Sequence, residues 1–447
     1  MNRRAFAILS AMSLAGCATY APLPLDEAPA VLSPPVAAIL ARDATAIDRP
    51  YLKPFALDLT QPLDANGIAV LAVIANPDLK AQRTRAGVAD AQSFAAGLLP
   101  DPTFSFGIDH ILSGPDPFDN IAGSLGFDLN ALRNHAAVSA KARADAKQVR
   151  LDLAWAEWQA AGQARIQAVH VIGLERTVAL NQASYRGTQS LLDRTLRASG
   201  RGDLSGDQVQ AARTAVLDAT DRYRISERDL AAARFELARL VGLQPGSAIR
   251  LAPAALPGDA LDAARLFALA ETGRSDLQAL RAGYSAQEAA VRKAVLDQFP
   301  TLDLTINGAR DTGGNKLLGP SIGFTLPLWN RNRGGIAVER ATREALKAEY
   351  EARLFQTRAE IAAAVGGIGV ARRQRQDLMT NLPALARFAA ASRRAADRGD
   401  LAPATAETAE QALRDKQALL TQNEQDIGEQ MIALELLTGA PREAWTQ

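Results

Sequence analysis

The sequence predicts a mainly α protein with a small β part, in which one unit of helix, β-hairpin, long helix and return helix is written twice. Three observations carry this. They are a repeat at one constant offset, two pairs of short alternating segments, and two helical stretches far longer than a compact domain needs.

The repeat is plainest around the strands. Ser124–Leu132 (SLGFDLNAL) and Ser321–Trp329 (SIGFTLPLW) share four of nine residues, at 321 − 124 = 197 positions apart. Arg201-Gly202-Asp203-Leu204 returns as Arg398-Gly399-Asp400-Leu401, and Leu240-Val241-Gly242 faces Leu437-Thr438-Gly439, both at that offset. Upstream, Asp78-Leu79 matches Asp276-Leu277 and Leu99-Pro100 matches Phe299-Pro300 at slightly larger offsets, which implies small insertions there. Pro245, Gly246, Pro253, Pro257 and Gly258 punctuate the join between the halves.

Each element has its own reason. Ala69–Leu99 is alanine-rich with spaced charges and is stopped by Pro100 and Pro102; its counterpart runs from about 259 to 298 and stops at Pro300. Alternation then puts Phe104, Phe106 and Ile108 on one strand face, and Leu302, Leu304 and Ile306 on another. Gly114–Pro117 and Asp311–Asn315 read as exposed turns. Return strands follow through Leu125, Phe127 and Leu129, or Ile322, Phe324 and Leu326. From Leu132 to about Leu196 there is no proline, and Arg333–Arg398 repeats the pattern with an interruption expected at Pro383. Roughly 65 residues of helix make a rod of about 100 Å, and such rods pack side by side. Gly202 and Gly399 end them, and return helices follow over Ser205–Leu243 and Pro403–Leu437.

The N-terminus speaks to compartment. Arg3 and Arg4 precede an apolar run from Ala5 to Leu14, and Leu14-Ala15-Gly16-Cys17 is the pattern that a lipoprotein signal peptidase cuts. Residues 1–16 are thus expected to be a signal peptide, with Cys17 acylated as the first mature residue. Ala18 stands where an aspartate would favour inner-membrane retention, so delivery to the outer membrane is expected. The expected order continues with a lipidated, Pro- and Ala-rich tether over 17–63. The first repeat follows over 64–247, then a linker over 248–259 and the second repeat over 260–447. With one cysteine there is no internal disulfide.

Past the signal no apolar run reaches the ~20 residues of a membrane helix, so any membrane span must be made of strands. Four strands cannot close a barrel and open edges are forbidden in lipid, so closure must come from an oligomer. The net charge of +1 offers no case for nucleic acid.

Taken together, these residues resemble the TolC-like outer membrane efflux proteins over essentially the whole mature chain. The resemblance rests on the cleavage site at Cys17, on Asn76-Pro77-Asp78-Leu79 and its echo Arg274-Ser275-Asp276-Leu277, on the Leu-Pro and Phe-Pro helix stops, and on the GFTLPLW strand before a long helix. The strand exit Leu326–Gly334 looks most like the subfamily that serves heavy-metal efflux pumps. The resemblance implies a homotrimer whose twelve-stranded transmembrane β-barrel, four strands per chain, continues as an α-helical barrel across the periplasm. It implies outer-membrane lipid as surroundings, and a periplasmic adaptor (membrane fusion) protein and an inner-membrane RND-type pump as partners. The role implied is a passive duct, with divalent metal cations as the cargo that the strand exit suggests. A conduit of type I protein secretion, and a periplasm-spanning lipoprotein without a pore, are the alternatives.

By the same resemblance, the turns Arg201, Gly202, Asp203, Leu204 and Arg398, Gly399, Asp400, Leu401 are the expected adaptor-docking sites. Read without it, they are hairpin turns in which glycine supplies a left-handed residue and aspartate caps the next helix. Asp207 and Glu407 are the candidates for an aperture. Thr405 and Thr408 stand where the family places acids, which departs from its pattern. His110, His135 and His170 have no metal-ligand spacing, and the sequence holds no phosphate loop or nucleophile motif, so neither cofactor nor enzymatic activity is expected. Trp155 and Trp158 read as packing residues. Phe104, Phe106, Phe127, Phe324 and Trp329 could girdle a barrel.

Overall fold

The leucines between residues 40 and 63 decide where the folded body begins. A computed structural model describes residues 20–445, apart from 28, 30, 31, 254, 255, 257 and 259. The chain forms two units, Met1–Pro35 and Val36–Gln447. The described residues of the first unit hold no α-helix or strand and are mostly exposed. Of the expected tether, only the described residues of that unit stay outside the core. From Val36 the chain folds: helix α1 (Ala37–Thr45) buries Leu40 and Ala44, and Leu52, Leu57 and Leu63 join the same core. Leu63 also bridges to Leu251, so the two ends of the first repeat meet.

Helix α2 (Ala65–Ala75) follows, with Asp64 capping it by accepting from the Gly67 N–H. Its run Ile68–Val73 is entirely buried. The four larger side chains there contribute about 2 kcal/mol each before the cost of ordering them. Asn76 then turns the chain into helix α3 (Pro77–Ala96). A residue before proline is pushed out of the helical region, and Asn76 is extended, with its Oδ1 accepting from Asp78 N–H at 2.9 Å and Leu79 N–H at 3.2 Å. The single helix expected over Ala69–Leu99 is therefore two.

Strands β1 (Thr103–Asp109) and β2 (Asn120–Asp128) form the first hairpin, and Asp128 caps the long helix α4 (Leu129–Gly200). Its 72 residues span about 108 Å. Helix α5 (Gly206–Leu240) returns along it. The second repeat follows the same order. Helix α6 (Ala263–Gly273) breaks at Arg274 into α7 (Ser275–Leu296). Strands β3 (Leu302–Arg310) and β4 (Lys316–Phe324) come next, then α8 (Arg333–Arg398) and α9 (Pro403–Thr438). A 3-10 turn at Arg442–Ala444 closes the described chain. Leu129 and Leu326, expected in the return strands, fall outside them. Helix α8 runs through Pro383 without the expected interruption; Pro383 is exposed, where water can replace the lost backbone bond.

Each repeat has a core of its own. The first joins α1, α2, α4 and α5; the second joins α6, α8 and α9 with Trp445. The repeats meet along α4, which packs against α7 and α9. Close approach there needs glycine at position 173, where a Cβ would collide with the Gln425 side chain.

Candidate functional site

The four strands form one antiparallel sheet in the order β1-β2-β3-β4, so the two hairpins join through β2 and β3. The register sorts every side chain onto one of two faces, because directly opposed residues share a face. One face holds Phe104, Phe106 and Ile108, then Leu125 and Phe127, then Leu302, Leu304 and Ile306, then Ile322 and Phe324. Cations enter it only at the last rung, Arg310 opposite Lys316. The other face holds Ser105, Ser124, Asn307 and Ser321, cross-linked by Ser105–Ser124 at 2.6 Å and Asn307–Ser321 at 2.8 Å. Asn120 donates to Asp109 on that face at 2.9 Å.

The apolar face is bare. Phe104 is 73% exposed, Phe106 62% and Ile322 63%. A sheet with one greasy and one hydroxyl-lined face suits lipid outside and water inside. Its two outer edges, β1 and β4, are unpaired within the chain. Among the described residues no helix is long and apolar enough to cross a membrane.

At the far end of the rods, the two tips are built alike. The Asp203 N–H donates to the Ala198 carbonyl at 3.0 Å and the Gly202 N–H to Ser199 at 2.9 Å. In the second tip Asp400 donates to Ala395 at 2.9 Å and Gly399 to Ala396 at 3.1 Å. This double closure is the Schellman cap, which needs a left-handed residue; Gly202 has φ +82° and Gly399 φ +85°. Arg201 then reaches Asp203 and Arg398 reaches Asp400, each at 2.9 Å. Aspartate thus pairs with the arginine two residues back. The α5 cap falls to Ser205, with Gln208 completing a capping box. Leu204 and Leu401 are half-buried and line or adjoin a groove of about 1090 Å³ between the tips, which also takes in Arg194, Arg197, Asp397 and Glu407.

The two aperture candidates part company. Asp207 is exposed on the first turn of α5. Glu407 is 5% exposed, packs where Gly187 leaves room on α4, and pairs with Arg414. Its carboxylate is committed inside the chain, unlike the open carboxylate expected beside an aperture. Cys17 lies outside the described residues. The three histidines stay apart: His110 meets Asp119, His135 meets the Gly97 carbonyl, and His170 meets Gln425 and Glu429. Among the described residues no cluster of metal-ligating side chains occurs.

Two buried ion clusters between the sheet and the tips escaped the sequence reading. Glu157 on α4, 2% exposed, accepts from Arg83 Nε at 2.8 Å and Arg49 Nη2 at 3.0 Å. Burial pushes its carboxyl up, and the two guanidiniums outweigh that and hold it below the usual range. In the second repeat Arg274 grips Asp276 with two nitrogens at 2.9 and 2.7 Å. Its third donates to the Leu437 carbonyl at 3.1 Å, and its plane lies 4.7 Å from the Trp155 ring. The first repeat places Asn76 in the matching role, donating to the Leu240 carbonyl at 3.0 Å. The only prior sign of Arg274 was its alignment with Asn76 through the repeat.

Residues 266–440 match the family described as outer membrane efflux protein. No curated protein matches. Solved structures do. The outer membrane protein VceC of Vibrio cholerae superposes with TM-score 0.72 at 16% identity, covering 84% of this chain and 96% of its own. The CmeC outer membrane channel of Campylobacter jejuni gives 0.69 at 15%, over 84% and 85%. CusC, studied for folding and transmembrane channel formation, gives 0.68 at 16%, over 84% and 92%. At these identities the likeness carries the fold.

Proposed function

We propose, from a chain whose second repeat matches the outer membrane efflux protein family and whose fold is that of the TolC-like channels, that it is the outer-membrane channel subunit of a tripartite efflux pump. The observation that carries this reading is the two-faced sheet set on rods of about 100 Å, with matched tips at the other end. The sheet supplies a wall between lipid and water, and the rods reach toward an inner-membrane partner. The chain supplies a duct; the driving force comes from the pump it serves.

Three copies close it. Four strands from each of three chains make a twelve-stranded barrel, in which β1 of one protomer pairs with β4 of the next and no edge stays open. The helices carry matching apolar rows for the same contact: Leu217, Ile225 and Phe235 stand exposed on α5, and Phe355, Val370 and Phe388 on α8. A periplasmic adaptor then seats on the six tips. For cargo, the resemblance of the strand exit Leu326–Gly334 to the heavy-metal subfamily points to divalent metal cations.

Mass measurement of the detergent-extracted protein should give three copies, and planar bilayers should show stepwise conductance. A monomer that still conducts would overturn the assembly, and a trimer that never conducts would overturn the duct. The N-terminus has its own test. Cys17→Ser should abolish labelling by radioactive palmitate and leave the precursor uncleaved; labelling that persists in this variant would remove the lipid anchor. Deleting the gene should sensitise the cell to divalent metals, and sensitivity to organic drugs alone would reassign the cargo.

A further inference from the structure

The two repeats leave the sheet differently. β2 ends at Asp128 and α4 starts at the next residue, with Asp128 accepting from the Ala131 N–H at 2.8 Å. β4 ends at Phe324, yet α8 starts only at Arg333. Pro327 explains the delay, since it lacks a donor and keeps Leu326 out of the helical region. The intervening turn is tightly determined. The Thr301 N–H donates to Thr325 Oγ1 at 3.2 Å, which ties the chain just past β4 to the chain just before β3. The Leu328 N–H closes on the Leu326 carbonyl at 2.8 Å. Arg331 (φ 46°) and Asn332 (φ 50°) are both left-handed, the only such non-glycine residues among those described. Asn332 Nδ2 is tied to the Ala294 carbonyl of α7 at 2.9 Å.

A strained, pinned turn holds its side chains outward. Trp329 is 86% exposed, Leu326 63% and Leu328 60%. At the same end of the sheet Leu98, Leu99 and Phe299 are exposed as well. Beside them Arg331 and Arg333 are exposed and form no ion pair among the described residues, and no acid occurs between Asp311 and Glu339. An apolar collar that continues the lipid face of a barrel, with an indole and uncompensated cations at its rim, fits the boundary where acyl chains give way to phosphates. In the proposed trimer a neighbouring copy would bring one exposed acid to this rim, Asp101 just ahead of β1, against the two arginines.

We infer that the helix-side collar of the sheet, led by Trp329 with Arg331 and Arg333, is an interfacial anchor that binds the phospholipid headgroups of the leaflet facing the rods. This sets the depth and tilt of the barrel at its periplasmic rim, and it rests on the channel reading above.

The test uses the full chain in nanodiscs of phosphatidylethanolamine and phosphatidylglycerol, brominated either near the headgroup or near the chain end. Wild type is compared with Trp329→Phe; the other three tryptophans lie in the helical body. Phe106→Trp in the Trp329→Phe background serves as the barrel control. The emission that Trp329→Phe removes should be mostly lost to headgroup-proximal bromine and little affected by deep bromine, with the reverse for Phe106→Trp. Exchanging phosphatidylglycerol for phosphatidylcholine should weaken Trp329 quenching in wild type but not in Arg331→Gln/Arg333→Gln. Unquenched Trp329 beside a quenched Phe106→Trp would mean that the collar meets solvent or another copy, and the inference fails while the channel stands. If neither is quenched, the channel reading fails and takes the anchor with it. Anionic-lipid dependence that survives the double glutamine variant would remove the arginines from the contact.

Discussion

A chain carrying Leu204→Asp and Leu401→Asp together should fold, form trimers and reach the outer membrane, yet give no more resistance than a strain that lacks the protein. The fold tolerates the change because the tips are closed by backbone bonds. The Gly202, Asp203, Gly399 and Asp400 amides keep their carbonyl partners whatever residue follows. Each leucine is half-buried, so each loss costs about 1 kcal/mol, at an end of the rods far from the sheet. The proposed docking has no such reserve. In the proposed trimer a tip contact would be small and its affinity would come from repetition over six tips, so a modest loss at each would multiply. A second carboxylate beside Asp203 and Asp400 also competes for Arg201 and Arg398, which now hold those aspartates at 2.9 Å. Cross-linking to the adaptor should vanish with resistance, and Leu204→Met with Leu401→Met should keep both. Wild-type resistance in the aspartate variant would make the turns helix caps only and place docking elsewhere.

What the sequence disclosed followed from local chemistry. The strands were legible because a two-residue period reports a face, and the register bears out Phe104, Phe106 and Ile108 against Leu125. The rods were legible because their ends carry glycine, and Gly202 and Gly399 are left-handed where each rod turns. Boundaries drifted wherever two signals competed. Pro77 forbids a helical Asn76, but the alanine-rich pattern on both sides masked the break. Pro383 looked like a stop, but packing along the whole of α8 outweighs one lost bond. Composition misled at residues 36–63, where prolines suggested a tether while Leu40, Leu52, Leu57 and Leu63 were spaced for a core. Long-range pairs were invisible. Arg49 and Glu157 stand 108 positions apart, and no local pattern marks either. Glu407 had the composition of an aperture residue, and only the approach of Arg414 and of Gly187 on α4 shows it turned inward.

Removing Arg274 should destabilise the helical body strongly. Its side chain is 2% exposed and Asp276 is 13% exposed. Arg274→Met keeps much of the volume but leaves a buried carboxylate whose remaining cation, Arg353, stands 3.3 Å away at one oxygen. It also frees the Leu437 carbonyl and the face of Trp155. Breaking a buried pair from one side costs about 3 kcal/mol, a fall of about 3 °C in the melting midpoint for a chain of this size. The pH dependence separates lost charge from lost packing. Burial pushes the Asp276 carboxyl up, but Arg274 and then Arg353 more than offset this, so it titrates below its ordinary value. A depressed carboxylate gives stability that is present above the unfolded pKa of about 3.9 and lost as pH falls through the folded value. Wild type should therefore melt progressively lower as the pH drops below about 4. In Arg274→Met the main depressing partner is gone, so the midpoint should already be low at pH 7 and change less on acidification. Arg274→Lys should recover part of the midpoint and part of the acid dependence, since it restores charge without the two-nitrogen grip. Melting curves of the detergent-solubilised protein from pH 7 to pH 3 decide it. Parallel curves for wild type and Arg274→Met would assign the whole loss to packing around Trp155, and would strip the Arg274–Asp276 pair of its electrostatic role.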